Sequence, residues 1–229
     1  VRLNSDGSRD ATFGENGIVI TDIGGYASGN SLALQSDGRI VVGGYGRGAY
    51  FTLVRYNSDG SLDRSWSDDG IKTISGENPS AVSDIAIFPD GRILAVGSVS
   101  RLVAGYYDTT LMIARFNSDG SLDTTFGING ARWETASVQR TGDSVELLPD
   151  GRFLVAGSAS RNVQNSRLSD MAVSRYNSDG TFDQAFGTVV QSFETKTAYD
   201  DFSTIRTDSV LKSMLVQSNG KIVLAGSMA

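Results

Sequence analysis

The chain has 229 residues, 39% of them hydrophobic, a formal net charge of −6 and a pI near 4.7. That length supports one domain with a sizeable core, and an acidic balance with scattered Lys and Arg argues against nucleic-acid partners. Cysteine and histidine are both absent, which removes disulfides, thiolate and imidazole metal ligands, cysteine nucleophiles and Ser-His-Asp chemistry.

Read in chain order, the sequence is one unit repeated, and a repeat is recognised before any local feature. The tetrapeptide Asn-Ser-Asp-Gly stands at Asn4–Gly7, Asn57–Gly60, Asn117–Gly120 and Asn177–Gly180, at intervals of 53, 60 and 60 residues. A second turn alternates with it, at Ser36–Arg39, Pro89–Arg92, Pro149–Arg152 and Ser218–Lys221. Gly supplies positive φ at such turns and Asp caps them through its side chain, so each marks a hairpin. Two hairpins per unit give a four-stranded antiparallel meander, with strands A to D.

Residues 1–22 hold strands C and D of a half-unit. Complete units follow at 30–75, 81–136 and 142–195, and 208–229 carries strands A and B of a last half-unit. The B strands, such as Ile93-Leu-Ala-Val-Gly97 and Phe153-Leu-Val-Ala-Gly157, run continuously apolar instead of alternating. Both of their faces are therefore expected to be buried. Radially arranged copies of one sheet meet that requirement, so the expected fold class is all-β: a β-propeller of four-stranded blades spanning 1–229. Three blades are complete and two half-blades complement each other. The half-blades could close within one copy as a four-bladed ring, at the small end of the propeller range. A fragment of a longer propeller, or separate chains that complete each other's half-blades, is the favoured expectation.

The run Arg55-Tyr-Asn-Ser-Asp-Gly-Ser-Leu-Asp63, repeated at Arg115–Asp123 and Arg175–Asp183, resembles the bacterial delta-60 repeat. The likeness covers essentially the whole chain. It implies a propeller of generally uncharacterised function and transfers no catalytic residues. Phe126-Gly127 and Phe186-Gly187 fit the pattern, whereas Trp66-Ser67 departs from it.

Spacing between the turns locates variation. From the A–B turn to the C–D turn the steps are 22, 29 and 29 residues; from C–D to the next A–B turn they are 31, 31, 31 and 40. All variation falls on the rim of B–C and D–A connections, and loops of variable length on a rigid scaffold usually carry binding. The candidate binding residues there are Tyr26, Tyr45, Tyr106, Tyr107, Asp108, Asp143, Tyr199, Asp200, Asp201 and Asp208. Their setting is expected to be loop: Arg101–Thr110 and Arg161–Asp170 as B–C connections, for example. Tyr beside Asp and Arg suits glycan or protein recognition, because an aromatic face stacks while polar groups fix orientation.

Repeated Arg55 and Asp63, with their counterparts, are expected to pair within each unit as a structural tie. Asn-Ser-Asp-Gly offers oxygen atoms of the kind that wrap calcium, but lacks the EF-hand spacing and its bidentate Glu. Turn formation accounts for it, and no cofactor or metal is expected. The leading functional reading is a non-catalytic scaffold or recognition module binding a glycan or protein through the variable rim. The alternatives are a carboxylate-dependent polysaccharide hydrolase or lyase, with Asp200 and Asp201 as its acids, and a purely structural or assembly role. No apolar run approaches a membrane span. Val1 opens inside a repeat, so a missing signal peptide carries no information; the acidic, Gly/Ser/Asp-rich composition points to a secreted or surface bacterial protein.

Overall fold

The computed structural model describes residues 1–46, 48, 50–74, 80–103, 106–134, 141–163, 166–192, 194–196, 204–206 and 209–228, with side chains outside 101–108, 160–168 and 193–208. Among these the structure is strand and turn, with no helix. Three four-stranded antiparallel sheets follow one another, each a meander. The first holds β1 (Ser28–Leu34), β2 (Ile40–Gly46), β3 (Tyr50–Tyr56) and β4 (Ile71–Ile74). The second holds β5 (Ser80–Ile87), β6 (Ile93–Val103), β7 (Tyr106–Phe116) and β8 (Ala131–Trp133), and the third β9 (Ser144–Leu147), β10 (Phe153–Val163), β11 (Ser166–Tyr176) and β12 (Thr188–Gln191). A small hairpin of β13 (Glu194–Lys196) and β14 (Thr204–Arg206) comes next, then a two-stranded sheet of β15 (Ser209–Val216) and β16 (Ile222–Met228).

The sheets stack face to face through their continuously apolar B strands. In β6, Ile93 and Ala95 join the core shared with the first sheet, while Leu94 and Val96 join the core shared with the third. In β10, Phe153 and Val155 face back to the second sheet, and Leu154 and Ala156 face forward to Leu211 and Met214 of β15. Period-2 alternation therefore assigns each B-strand residue to one of two interfaces, and neither face can be polar. The A strands of successive sheets pack against one another, β1 against β5, β5 against β9 and β9 against β15.

Each turn has one local cause. Gly60 at φ 88° closes Asn57–Gly60, and its N–H donates to the Asn57 carbonyl at 2.9 Å. Asp59 Oδ1 accepts both the Ser61 N–H and hydroxyl, at 2.9 and 2.7 Å. The Asp residues themselves keep negative φ, so only the Gly needs the left-handed region.

One rim carries a joint that recurs between successive units. The Arg55 Nε donates to Asp63 Oδ2 at 2.9 Å, the within-unit tie that the repeat pattern predicts. Its Nη1 then crosses to the next unit and donates to the Ser118 carbonyl at 2.8 Å. Arg2 and Arg115 reach the Ser58 and Ser178 carbonyls in the same way. Beneath each guanidinium lies a ring, Phe13, Trp66 or Phe126, with centroids at 4.5, 5.4 and 4.7 Å. The ring edges press on the glycine of the following turn: a Cβ on Gly60, Gly120 or Gly180 would sit within 2.7–2.9 Å of Phe13, Trp66 and Phe126. The residue after each ring adds a backbone bond to the same turn, Gly14, Ser67 and Gly127 donating to the Asp59, Asp119 and Asp179 carbonyls.

Candidate functional site

On the opposite rim the B–C connections of the second and third units are not loops. Strands β6 and β7 stay paired from Ile93↔Phe116 out to Val103↔Tyr106. Pairing with β5 ends at Val99, and pairing with β8 covers Met112 to Ala114. Among the described residues, Ser100–Val103 and Tyr106–Thr109 pair with each other alone, which carries this hairpin about 13 Å past the described pairing of β5 and β8 at ordinary strand rise. In the third unit β10 and β11 pair out to Val163↔Ser166; β9 pairs with β10 from Phe153 to Ala156, and Thr141 carries the contact on to Ser158 among the described residues. The first unit has no such extension, its β2–β3 hairpin closing at Gly46↔Tyr50.

This corrects the expected loop setting of Arg101–Thr110 and Arg161–Asp170. The physical reason is that Val99, Leu102, Val103, Tyr106, Tyr107, Thr109 and Thr110 are β-branched, aliphatic or aromatic, so the ladder continues into polar sequence. Tyr106, Tyr107 and Asp108 stand at the start of β7, opposite Val103, Leu102 and Arg101. Tyr45 is likewise a strand residue, half-buried in β2 opposite Phe51.

Tyr26 is 93% exposed, just ahead of β1. Asp143 lies immediately before β9 with its N–H bonded to the Ala156 carbonyl at 2.8 Å, and its Oδ2 accepts the Thr141 hydroxyl at 2.9 Å. Burial pushes the Asp143 carboxyl up, against the pull of the Thr141 hydroxyl and the Lys212 charge. No hydrogen bond joins Tyr26, Tyr45 and Asp143 to one another among the described residues. Tyr199, Asp200, Asp201 and Asp208 lie outside the described residues.

A line of polar side chains on the A strands escaped the sequence reading. Ser31, Asp84, Ser144 and Ser213 each stand seven residues before the A–B turn glycine, so aligning the units on that glycine brings them together. Ser31 donates to Asp84 Oδ1 at 2.8 Å, Asp84 Oδ2 accepts the Val145 N–H at 2.9 Å, and Ser144 Oγ accepts the Met214 N–H at 3.2 Å. Asn30 Nδ2 adds a bond to the Val82 carbonyl at 2.7 Å. β-bulges between Gly29/Ser31, Val82/Asp84 and Leu211/Ser213 turn these residues toward the neighbouring sheet. Burial and the nearby Asp84 charge raise Glu146. Both Asp84 oxygens already serve as acceptors within the fold, an occupation that suits structure more than acid–base work.

A family model for a β-propeller domain of unknown function, DUF5122, matches residues 1–13, 35–65, 89–126 and 148–186, together more than half of the chain. The chain belongs to the DUF5122 β-propeller family. The matched segments hold the Asn-Ser-Asp-Gly turns, the A–B turns and B strands of the three complete units, and the Arg–Asp pairs with Phe13, Phe126 and Phe186; Trp66, β15 and β16 lie outside them. The segments also leave out most of the D–A connections. No curated protein matches the sequence.

Proposed function

We propose that this DUF5122 propeller is a non-catalytic recognition module that binds a glycan or protein ligand on the rim of its B–C and D–A connections. The observation that carries the reading is the pair of hairpins β6–β7 and β10–β11, whose own ladders run beyond the described pairing of their sheets on the rim away from the joints. A hairpin held by its own ladder presents side chains at fixed register, which lowers the ordering cost of binding. The tip of the first combines Arg101, Leu102, Val103, Tyr106, Tyr107 and Asp108, a mix that supplies both stacking surface and orienting charge. The structural occupation of Asp84 supports a binding role over a hydrolase or lyase. In this reading the three sheets are propeller blades, 1–22 and 208–229 are complementary half-blades, and the protein works outside or on the surface of a bacterial cell.

A glycan array, combined with an activity screen on acidic polysaccharides, tests it. Retention of a ligand without turnover is expected, and the Tyr106→Ala/Tyr107→Ala variant should lose that retention while keeping the wild-type melting temperature. Turnover of any polysaccharide by the wild-type chain, or unchanged retention by the double variant, overturns the reading.

A further inference from the structure

The four A–B turns share one geometry but not one residue. At three of them an aspartate stands before the glycine: Asp37, Asp90 and Asp150. Each turns its Oδ1 onto the backbone N–H two residues on, at 3.0 Å from Arg39 and 3.1 Å from Arg92 and Arg152. Each also pairs its Oδ2 with the guanidinium of that same arginine. At the fourth turn the pair is Asn219-Gly220, followed by Lys221. Asn219 Oδ1 accepts the Lys221 N–H at 3.1 Å, so an amide occupies the carboxylate's place.

That placement favours a reaction of the amide with its own backbone. The bond from Lys221 folds the Asn219 carboxamide over the Gly220 peptide and polarises its carbonyl. Gly220 has no side chain to hinder its nitrogen. Water reaches this position in the complete units, where the Asp37, Asp90 and Asp150 side chains are 48%, 52% and 49% exposed. Two further Asn-Gly pairs, Asn16-Gly17 and Asn129-Gly130, are held otherwise. Both asparagines sit at φ 52°, both glycines are buried, and their N–H groups donate to the Phe13 and Phe126 carbonyls at 2.8 and 2.9 Å. Freeing either nitrogen strands a buried amide. The Gly220 N–H also donates, to the Gln217 carbonyl at 2.8 Å, but its counterparts Gly38, Gly91 and Gly151 are only half-buried.

We infer that Asn219 is a site of spontaneous conversion to aspartate in the folded protein. Asparagine is a thermolabile residue. The Gly220 nitrogen, its proton lost to water, adds to Cγ of Asn219 and expels the side-chain nitrogen as ammonia, which leaves a five-membered succinimide. Water then opens the ring. Cleavage of the Cγ–N bond restores the ordinary chain with a carboxylate at 219. Cleavage at the backbone carbonyl routes the chain through the side chain instead, as isoaspartate. One water enters and one ammonia leaves by either branch. The turn selects the first product, because isoaspartate adds a carbon to the backbone between two paired strands, β15 and β16. The aspartate form offers Lys221 the carboxylate that Asp37, Asp90 and Asp150 offer their arginines, and so becomes a fourth copy of one ion-paired turn. This chemistry lies on the joint rim and does not depend on the ligand reading of the opposite one.

Incubation of the full 229-residue chain in mildly alkaline buffer, followed by intact mass and peptide mapping, tests it. Folded protein should lose the Asn219 amide about tenfold or more faster than those of Asn16 and Asn129, the scale set by leaving a buried amide unpaired. Electron-transfer fragmentation should show aspartate in excess of isoaspartate. In strong urea the three pairs should convert at similar rates, with isoaspartate in excess. Asn219→Gln, whose longer side chain closes a six-membered ring slowly, should abolish the early loss, and Asn219→Asp should share the melting temperature of the aged protein. Loss at Asn16 or Asn129 as fast as at Asn219 overturns the inference. So does a selectivity that persists unchanged in urea, an early loss that survives Asn219→Gln, or isoaspartate as the main product of the folded chain.

Discussion

The Arg55 guanidinium spans a sheet boundary, with Nε on Asp63 at 2.9 Å and Nη1 on the Ser118 carbonyl at 2.8 Å. One side chain thus ties strand C to strand D in its own unit and both to the turn of the next. Removing that guanidinium takes a donor from a buried carboxylate and from a carbonyl together.

Arg115, the most buried of the series, should therefore be the most sensitive. Arg115→Ala is expected to cost about 3 kcal/mol, the usual loss on breaking a buried pair. Arg175→Ala, more exposed and without a crossing bond to a described turn, should cost about 1 kcal/mol. Urea unfolding of the two variants gives the comparison, and equal losses would contradict the crossing contact as a source of stability.

The turn glycines separate strain from crowding. Gly120→Ala adds a Cβ 2.7 Å from the Trp66 ring at φ 88°, whereas Gly220→Ala meets nothing at φ 80°. Left-handed strain alone predicts a loss of roughly 1 kcal/mol for the second, and overpacking raises the first to roughly 3 kcal/mol. Denaturant midpoints decide the matter.

Acid should weaken the joints over a defined window. Burial acts against the Asp123 carboxylate, but the Thr125 hydroxyl and N–H and the Arg115 charge outweigh it and bring the pKa from 3.8 to about 2. A carboxylate depressed in the folded state contributes stability above its unfolded pKa and loses it as pH falls through the folded value. The contribution, about 2 kcal/mol from a shift of this size, should fade between pH 4 and pH 2. Asp123→Asn should be less stable than wild type at pH 7, with the gap narrowing across that interval.

Asp143 carries the opposite sign. Burial raises its folded-state pKa above the unfolded value of 3.8. Its native form therefore binds a proton more readily, and stability falls as pH rises through the folded pKa. Asp143→Asn keeps an acceptor for the Thr141 hydroxyl without the charge. It should melt higher than wild type at pH 7 and show no advantage at pH 3 by thermal denaturation.

The strands and turns were legible in the sequence because each depends on nearest neighbours. Asp59 caps its own turn and Gly60 supplies the left-handed φ, so the motif could be read in place. The Arg55–Asp63 tie was legible because both residues recur together. What the recurrence could not show was the second use of the same residues. Contact of Arg55 with Ser118 spans 63 positions, and no local pattern records it. The same limit hid Asp84, whose acceptors serve Ser31 and Val145 on two other strands. The extended hairpins were mistaken for loops because their polar residues mask a ladder that is held by backbone bonds and β-prone side chains. Of the ten candidate binding residues, only Tyr26, Tyr45 and Asp143 have described side chains, and no hydrogen bond joins them among the described residues.

Because every joint takes its arginine and ring from one unit and its turn from the next, no unit owns a joint outright. Removing a stretch that starts and stops at equivalent points, such as Ser61–Gly120, would bring Arg55 and Trp66-like geometry to an identical acceptor turn. Whole repeats can therefore be gained or lost in register without inventing a new contact. Copy number is then the quantity that the joint leaves open, since the chemistry between neighbours stays constant whatever the number of units.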